Sequence, residues 1–114
     1  MSKIRTIYLD VFHVEVGVFR KDSARMAFLK SRGVDVVPTG SCFGSAHMDK
    51  DAEGTPFFSM VLSKKATKAT WAHECVHIAD FLMGRLGIPT GARNTEVRAY
   101  IVGCLFDGLE NLFD

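Results

Sequence analysis

An α+β domain, with a small mixed sheet packed on helices, is what this chain predicts. Apolar residues alternate with a period of two in several stretches of the first 64 residues, and recur with a helical period from about residue 65 onward. The chain has 114 residues, 47% of them apolar, which suffices for one core and leaves no room for a second domain. Residues 1–114 are therefore expected to form one domain. Residues 1–64 would be a strand-rich part with one short helix, and residues 65–114 a helical part.

The elements follow in order. Residues 3–9, with Ile4, Ile7, Tyr8 and Leu9, are rich in β-formers, and FHVEVGVF at 12–19 places Val14, Val16 and Val18 on one face. No strong turn pair separates the two runs, so one bent strand and a hairpin both fit. Asp22 or Ser23 can cap a helix from Ala24 to about Ser31, which Gly33 would stop. Val34 to Val37 resumes extended structure, and Pro38-Thr39-Gly40 turns it. Residues 41–49 and 56–62 are two more strands joined by the polar loop DKDAEGT, and Pro56 opens the second of them. Trp71, Cys75, Ile78 and Leu82 then fall at helical spacing, with Leu86 continuing the stripe. Gly87 ends that helix and Pro89 keeps it from resuming. Asn94 or Thr95 caps a last helix to about Leu112, with Val97, Ile101, Leu105, Leu109 and Leu112 as its apolar stripe.

Composition narrows the function classes. A net charge of +1 gives no electrostatic case for nucleic acid or an anionic membrane. No apolar run approaches the roughly 20 residues that span a bilayer, and MSKIRTIYLDVF lacks the features of a signal peptide. Cys42, Cys75 and Cys104 are odd in number without a CxxC, which reads as free thiols in a reducing compartment. The expected location is the cytoplasm of a bacterium or of a phage-infected cell.

The chemistry concentrates in WAHECVHIAD at 71–80. His73 and His77 are four positions apart on a helix, so they stand one turn apart on one face. Two imidazoles so placed can each offer a nitrogen to one tetrahedral Zn²⁺ at about 2.0–2.1 Å. Glu74 is rotated about a third of a turn from His73, within reach of a water but outside the ligand pair. Zinc lowers the pKa of a coordinated water towards about 7, where a carboxylate can take its proton. The order His-Glu-x-x-His thus supplies two ligands and one base on one helix. A third ligand is expected from Glu96, nineteen positions after His77, in the first turn of the last helix. The link between the helices is long enough to bring it back, and Ala99 and Gly103 on its face would admit a close approach. An acidic residue there also simply complements the helix dipole.

Other polar residues carry weaker expectations. His13 and His47 read as structural or exposed. Tyr8, Tyr100 and Arg98 are candidate donors to an oxyanion. Cys75 falls on the core face as a small hydrophobe, and Phe57, Phe58, Phe81 and Trp71 read as core. The strand at 41–49 could pair with an extended peptide, with Gly40, Gly44 and Ala46 leaving space for it.

HECVH followed by NTEVRAY resembles the gluzincin branch of the zincin metallopeptidases, and more closely the small phage-encoded zincin-like proteins. The matching stretch, residues 71–109, is about a third of the chain; the remainder agrees only in its order of elements. The resemblance implies a minimal zincin-like fold with zinc between the last two helices. It also implies His73, His77 and Glu96 as ligands, and Glu74 as the base in peptide-bond hydrolysis. The pattern departs four residues after Glu96, where thermolysin-like enzymes carry an aspartate that orients a histidine; here the residue is Tyr100. Asp80 is the candidate to take over that supporting role. The expected partner is a peptide or protein substrate. The rival expectation is a non-catalytic protein that keeps zinc for folding or for binding, since a chain this short lacks the second lobe that usually walls a substrate cleft.

Overall fold

The first two strands are joined without a glycine. β1 (Arg5–Leu9) and β2 (Val14–Phe19) form an antiparallel hairpin in the computed structural model, which describes residues 4–36, 43–89 and 91–113. A 3-10 turn, Asp10–Phe12, leads into His13 at φ 52° and ψ 44°, and the backbone N–H of His13 donates to Asp10 at 3.3 Å. Histidine tolerates the left-handed region better than most residues. Its Nδ1 lies 3.1 Å from the Tyr8 hydroxyl, a contact that helps hold the turn.

β3 (Gly44–Lys50) and β4 (Pro56–Leu62) form the second hairpin, with pairing from Gly44↔Leu62 to Lys50↔Pro56. Their loop is closed by Asp51, whose Oδ1 accepts from the amides of Glu53 and Thr55 at 2.9 Å each, and by Gly54 at φ 83°. β2 pairs in parallel with β4, so the sheet is mixed, in the order β1-β2-β4-β3, with β3 on an edge. The expected turn at 38–40 and the first residues of the expected 41–49 strand lie outside the described residues.

Helices cover both faces of this sheet. α1 (Asp22–Ser31) lies against β2 and β4 through Phe28, whose ring meets Phe19 at 5.8 Å and Phe57 at 5.3 Å. Arg25, 2% exposed, binds Asp22 at 2.9 Å and Asp49 of β3 at 3.3 Å. This corrects the expected cap. The N-cap position is Lys21, with no side-chain bond, because the Asp22 carboxylate is committed to Arg25 inside the first turn.

The other face carries α2 (Lys68–Leu86) and α3 (Thr95–Phe113). Val16, Val18, Phe58, Met60 and Leu62 of the strands meet Cys75, Ile78, Leu82, Ile101, Leu105 and Leu109 in one core. Thr67 caps α2, its Oγ1 accepting from Thr70 N. Gly87 ends it at φ 73°, and Ile88 folds back with its amide on Met83 O at 2.8 Å, a Schellman closure. Ile88 then packs on the core, while Leu86, expected to continue the stripe, is 45% exposed. Over the described residues the chain is thus an α+β fold with a four-stranded mixed sheet and three α-helices. Among the described residues no helix is long and apolar enough to cross a membrane.

His47 sits half-buried on the α1 side, with Nε2 2.7 Å from Ser45 Oγ. Burial first, and then the Arg25 charge, lower its pKa below the ordinary value; Asp49 and Asp22 oppose this more weakly. The unfolded chain therefore takes up this proton more readily than the folded one. The stability it contributes is complete above about pH 6.5 and is lost as pH falls from there towards the lower pKa of the folded state. Thermal melts from about pH 7.5 to about pH 5.5 should show a steeper fall for the parent than for His47→Gln; equal slopes would contradict this.

Candidate metal centre

α2 presents two faces with different duties. Trp71, Cys75, Ile78, Ala79, Leu82 and Met83 are buried, and His73 and His77 project from the opposite side and are exposed. Their Nε2 atoms lie 3.1 Å apart, with the rings edge to face at 75°. Two ligands at about 2.0–2.1 Å from one ion in a tetrahedral arrangement stand about 3.3 Å apart. The pair therefore fits a shared metal ion through like nitrogens.

Glu74 completes a group whose ligand atoms all lie within 4.8 Å of one another. Only 7% exposed, it is turned from the histidines' open face towards the edge strand, where Gly44 of β3 meets it. A carboxylate this sheltered stays accessible to a group at the imidazoles while being held away from bulk water.

Glu96 stands apart from the group. It is exposed in the first turn of α3. α2 and α3 pack antiparallel, and their register is marked by Lys68 with Glu110 at 3.0 Å, Trp71 with Phe106 at 6.1 Å, and Asp80 with Arg98 at 2.9 Å. That register sets Ile101 level with His77. Glu96 is five positions nearer the link, roughly 7.5 Å along the axis, and helical side chains lean further towards the N-terminus.

The remaining candidates distribute as follows. Asp80 accepts from Arg98 Nε at 2.9 Å, so it ties α2 to α3. Sequence reasoning weighed both residues singly and missed the pair; the signal was one acid and one base in facing turns of an antiparallel helix hairpin. Tyr100 is exposed on α3, where the Cys104 thiol, by hydrogen bonding and charge, pushes its phenol upward. Tyr8 is occupied with His13 and His47 with Ser45, each away from the pair. Gly44 was expected to leave space for a substrate, but that space is filled by Thr70 and Glu74. Ala46 packs on the core. Gly40 and Cys42 lie outside the described residues. A cavity of about 510 Å³, lined in part by Phe28, Leu29, Arg32, Phe58, Leu82 and Arg85, is lined by neither His73 nor His77.

Comparison with protein-family models, with curated proteins and with solved structures finds no match.

Cys75 lies inside the motif but faces the core. Burial, and then the Glu74 charge, push its thiol up to about 12. It is expected to resist iodoacetamide in the native protein at about pH 8, while the partly exposed Cys104 is modified first. Equal labelling of both thiols in native protein, read by peptide mass spectrometry, would contradict the burial assigned to Cys75.

Proposed function

We propose that this chain is a zincin-like hydrolase of peptide bonds, related to the small phage-encoded proteins of that type, working in a reducing cytoplasm. The observation that carries the reading is the 3.1 Å approach of His73 Nε2 to His77 Nε2, with Glu74 beside them. His73 and His77 would hold the ion. When bound, zinc supplies a Lewis acid that makes water acidic near neutral pH.

The chain's own groups do the rest. Glu74 takes a proton from a water beside the imidazoles. The water oxygen then bonds to the amide carbonyl carbon; as the C–N bond breaks, Glu74 returns the proton to the departing amine, leaving a carboxylic acid on the other fragment that ionises at neutral pH. Its shelter under β3 keeps the carboxylate from being solvated away from that task. The core face of α2 fixes the helix, and with it the spacing of both imidazoles.

A second reading is favoured by the exposure of both histidines and by the position of Glu96 outside the group. In that reading zinc stabilises the fold or a binding surface, without catalysis.

Purified parent protein is expected to carry about one zinc per chain, and His77→Ala to lose it together with the thermal stability that ligand binding adds, about 4 kcal/mol at a free metal concentration 1,000-fold above Kd. Glu74→Gln should keep the metal and the fold. Against an unbiased peptide library it should lose cleavage by at least about 10²–10⁴-fold. Unchanged zinc content in His77→Ala would remove the site. Absence of cleavage by the zinc-loaded parent would favour the second reading.

Glu96 separates two forms of the metal site. The resemblance makes it the third ligand and implies that Glu96→Gln lowers zinc affinity by more than about tenfold with the helix intact, whereas its place outside the group implies that affinity is kept. Retained affinity, measured by competition with a chromogenic chelator, would confine the ligand set to the groups on α2.

A further inference from the structure

β3 begins where α2 lies close against the sheet, with Thr70 and Glu74 beside Gly44. Gly44 pairs with Leu62, and the carbonyl of the preceding Phe43 accepts from Ser63 N at 2.9 Å, so this backbone is fixed to β4. From the other side α2 presses in. A Cβ at position 44 would lie 2.6 Å from Thr70 Cγ2, 3.1 Å from Glu74 Cγ and 3.3 Å from Glu74 Oε2. Gly44 is not one of the glycines with positive φ, which among the described residues are Gly33, Gly54 and Gly87. The position therefore requires glycine for space and not for backbone conformation.

The two neighbours of that gap differ in freedom. Thr70 is engaged with the helix cap: its Oγ1 lies 3.4 Å from Thr67 Oγ1, and its amide donates to the same oxygen. This directs the methyl Cγ2 at Gly44. Glu74, one turn further along α2, has no side-chain polar bond among the described residues; what confines it there is the strand backbone at Gly44. A side chain at position 44 would collide with Thr70 first, and the relief would pass to Glu74, whose Cγ lies on the same side.

We propose that Gly44 is a positioning residue for Glu74. The absent side chain lets the edge strand close over the glutamate and sets where its carboxylate stands relative to His73 and His77. The inference rests on the reading of Glu74 as the proton acceptor. It differs from a role in folding, because the three atoms nearest the gap belong to Thr70 and Glu74, and the imidazoles should be indifferent to its filling.

The test compares four forms of the full chain without added metal: parent, Gly44→Ala, Thr70→Ser and the double variant. Thr70→Ser keeps the hydroxyl that caps α2 and deletes the methyl that blocks position 44. The readout is the side-chain ¹³C–¹H resonances of Glu74, against the imidazole resonances of His73 and His77. Gly44→Ala should displace the Glu74 signals and leave the imidazole signals in place. Thr70→Ser should leave both in place, and the double variant should fall between Gly44→Ala and Thr70→Ser. Glu74 signals that stay put in Gly44→Ala, or that are displaced as far in the double variant, would overturn the proposal. If Gly44→Ala does not fold, the double variant is compared with Thr70→Ser alone: displaced Glu74 signals support the proposal and coincident ones overturn it. Zinc titration of the same samples separates the two ideas. Gly44→Ala should bind Zn²⁺ as the parent does, whereas a parent that binds none refutes the metal reading and leaves the Glu74 comparison standing.

Discussion

The buried stripe of α2 is the constraint on which the site depends. Cys75, Ile78, Ala79, Leu82 and Met83 are fully buried between the sheet and α3. Each large apolar side chain so buried contributes about 1.5–3 kcal/mol, so the helix can neither roll nor slide without exposing several at once. Rolling is what would separate the site. His73 and His77 project from the opposite side, and Glu74 lies on the flank beneath the edge strand. One rigid helix thus fixes three groups with different surroundings: two imidazoles open to solvent and one sheltered carboxylate.

The packing around α2 also shows how such a small fold protects that arrangement. α3 lies antiparallel on one flank, with a charged pair towards each end, Lys68 with Glu110 and Asp80 with Arg98. Both pairs are partly exposed, so they add little energy and act mainly in setting register. β3 closes the other flank. It is anchored to α1 across the sheet by Arg25 and Asp49, a buried charge whose removal of one partner would be costly. The strand over Glu74 is therefore held both by β4 and by a helix on the far face of the sheet.

Much of this was legible in the residues, and the exceptions have physical causes. The change of hydrophobic period marked the strand and helix parts, and Gly87 with Pro89 marked the helix end. The first hairpin could not be distinguished from a bent strand because its turn uses His13 in the left-handed region, where Gly or Asn is the usual signal. The Leu86 stripe failed because Ile88, beyond the helix end, returns to the core in its place. At the site, i,i+4 spacing was enough to bring His73 and His77 together, since it depends only on helix geometry. Glu96 and Gly44 depend on tertiary register and on how closely a strand approaches a helix, and a linear pattern carries neither. The Asp80–Arg98 pair is of the same kind, with each partner's role decided by the helix it faces.

The central claim is that His73 and His77 form the protein half of a metal site. X-ray absorption at the zinc edge of the zinc-loaded chain reads this directly. The account predicts a shell of nitrogen and oxygen neighbours at about 2.0–2.1 Å, with the outer-shell scattering of two imidazole rings. A sulfur shell at about 2.3 Å, or a spectrum without imidazole scattering, would contradict it.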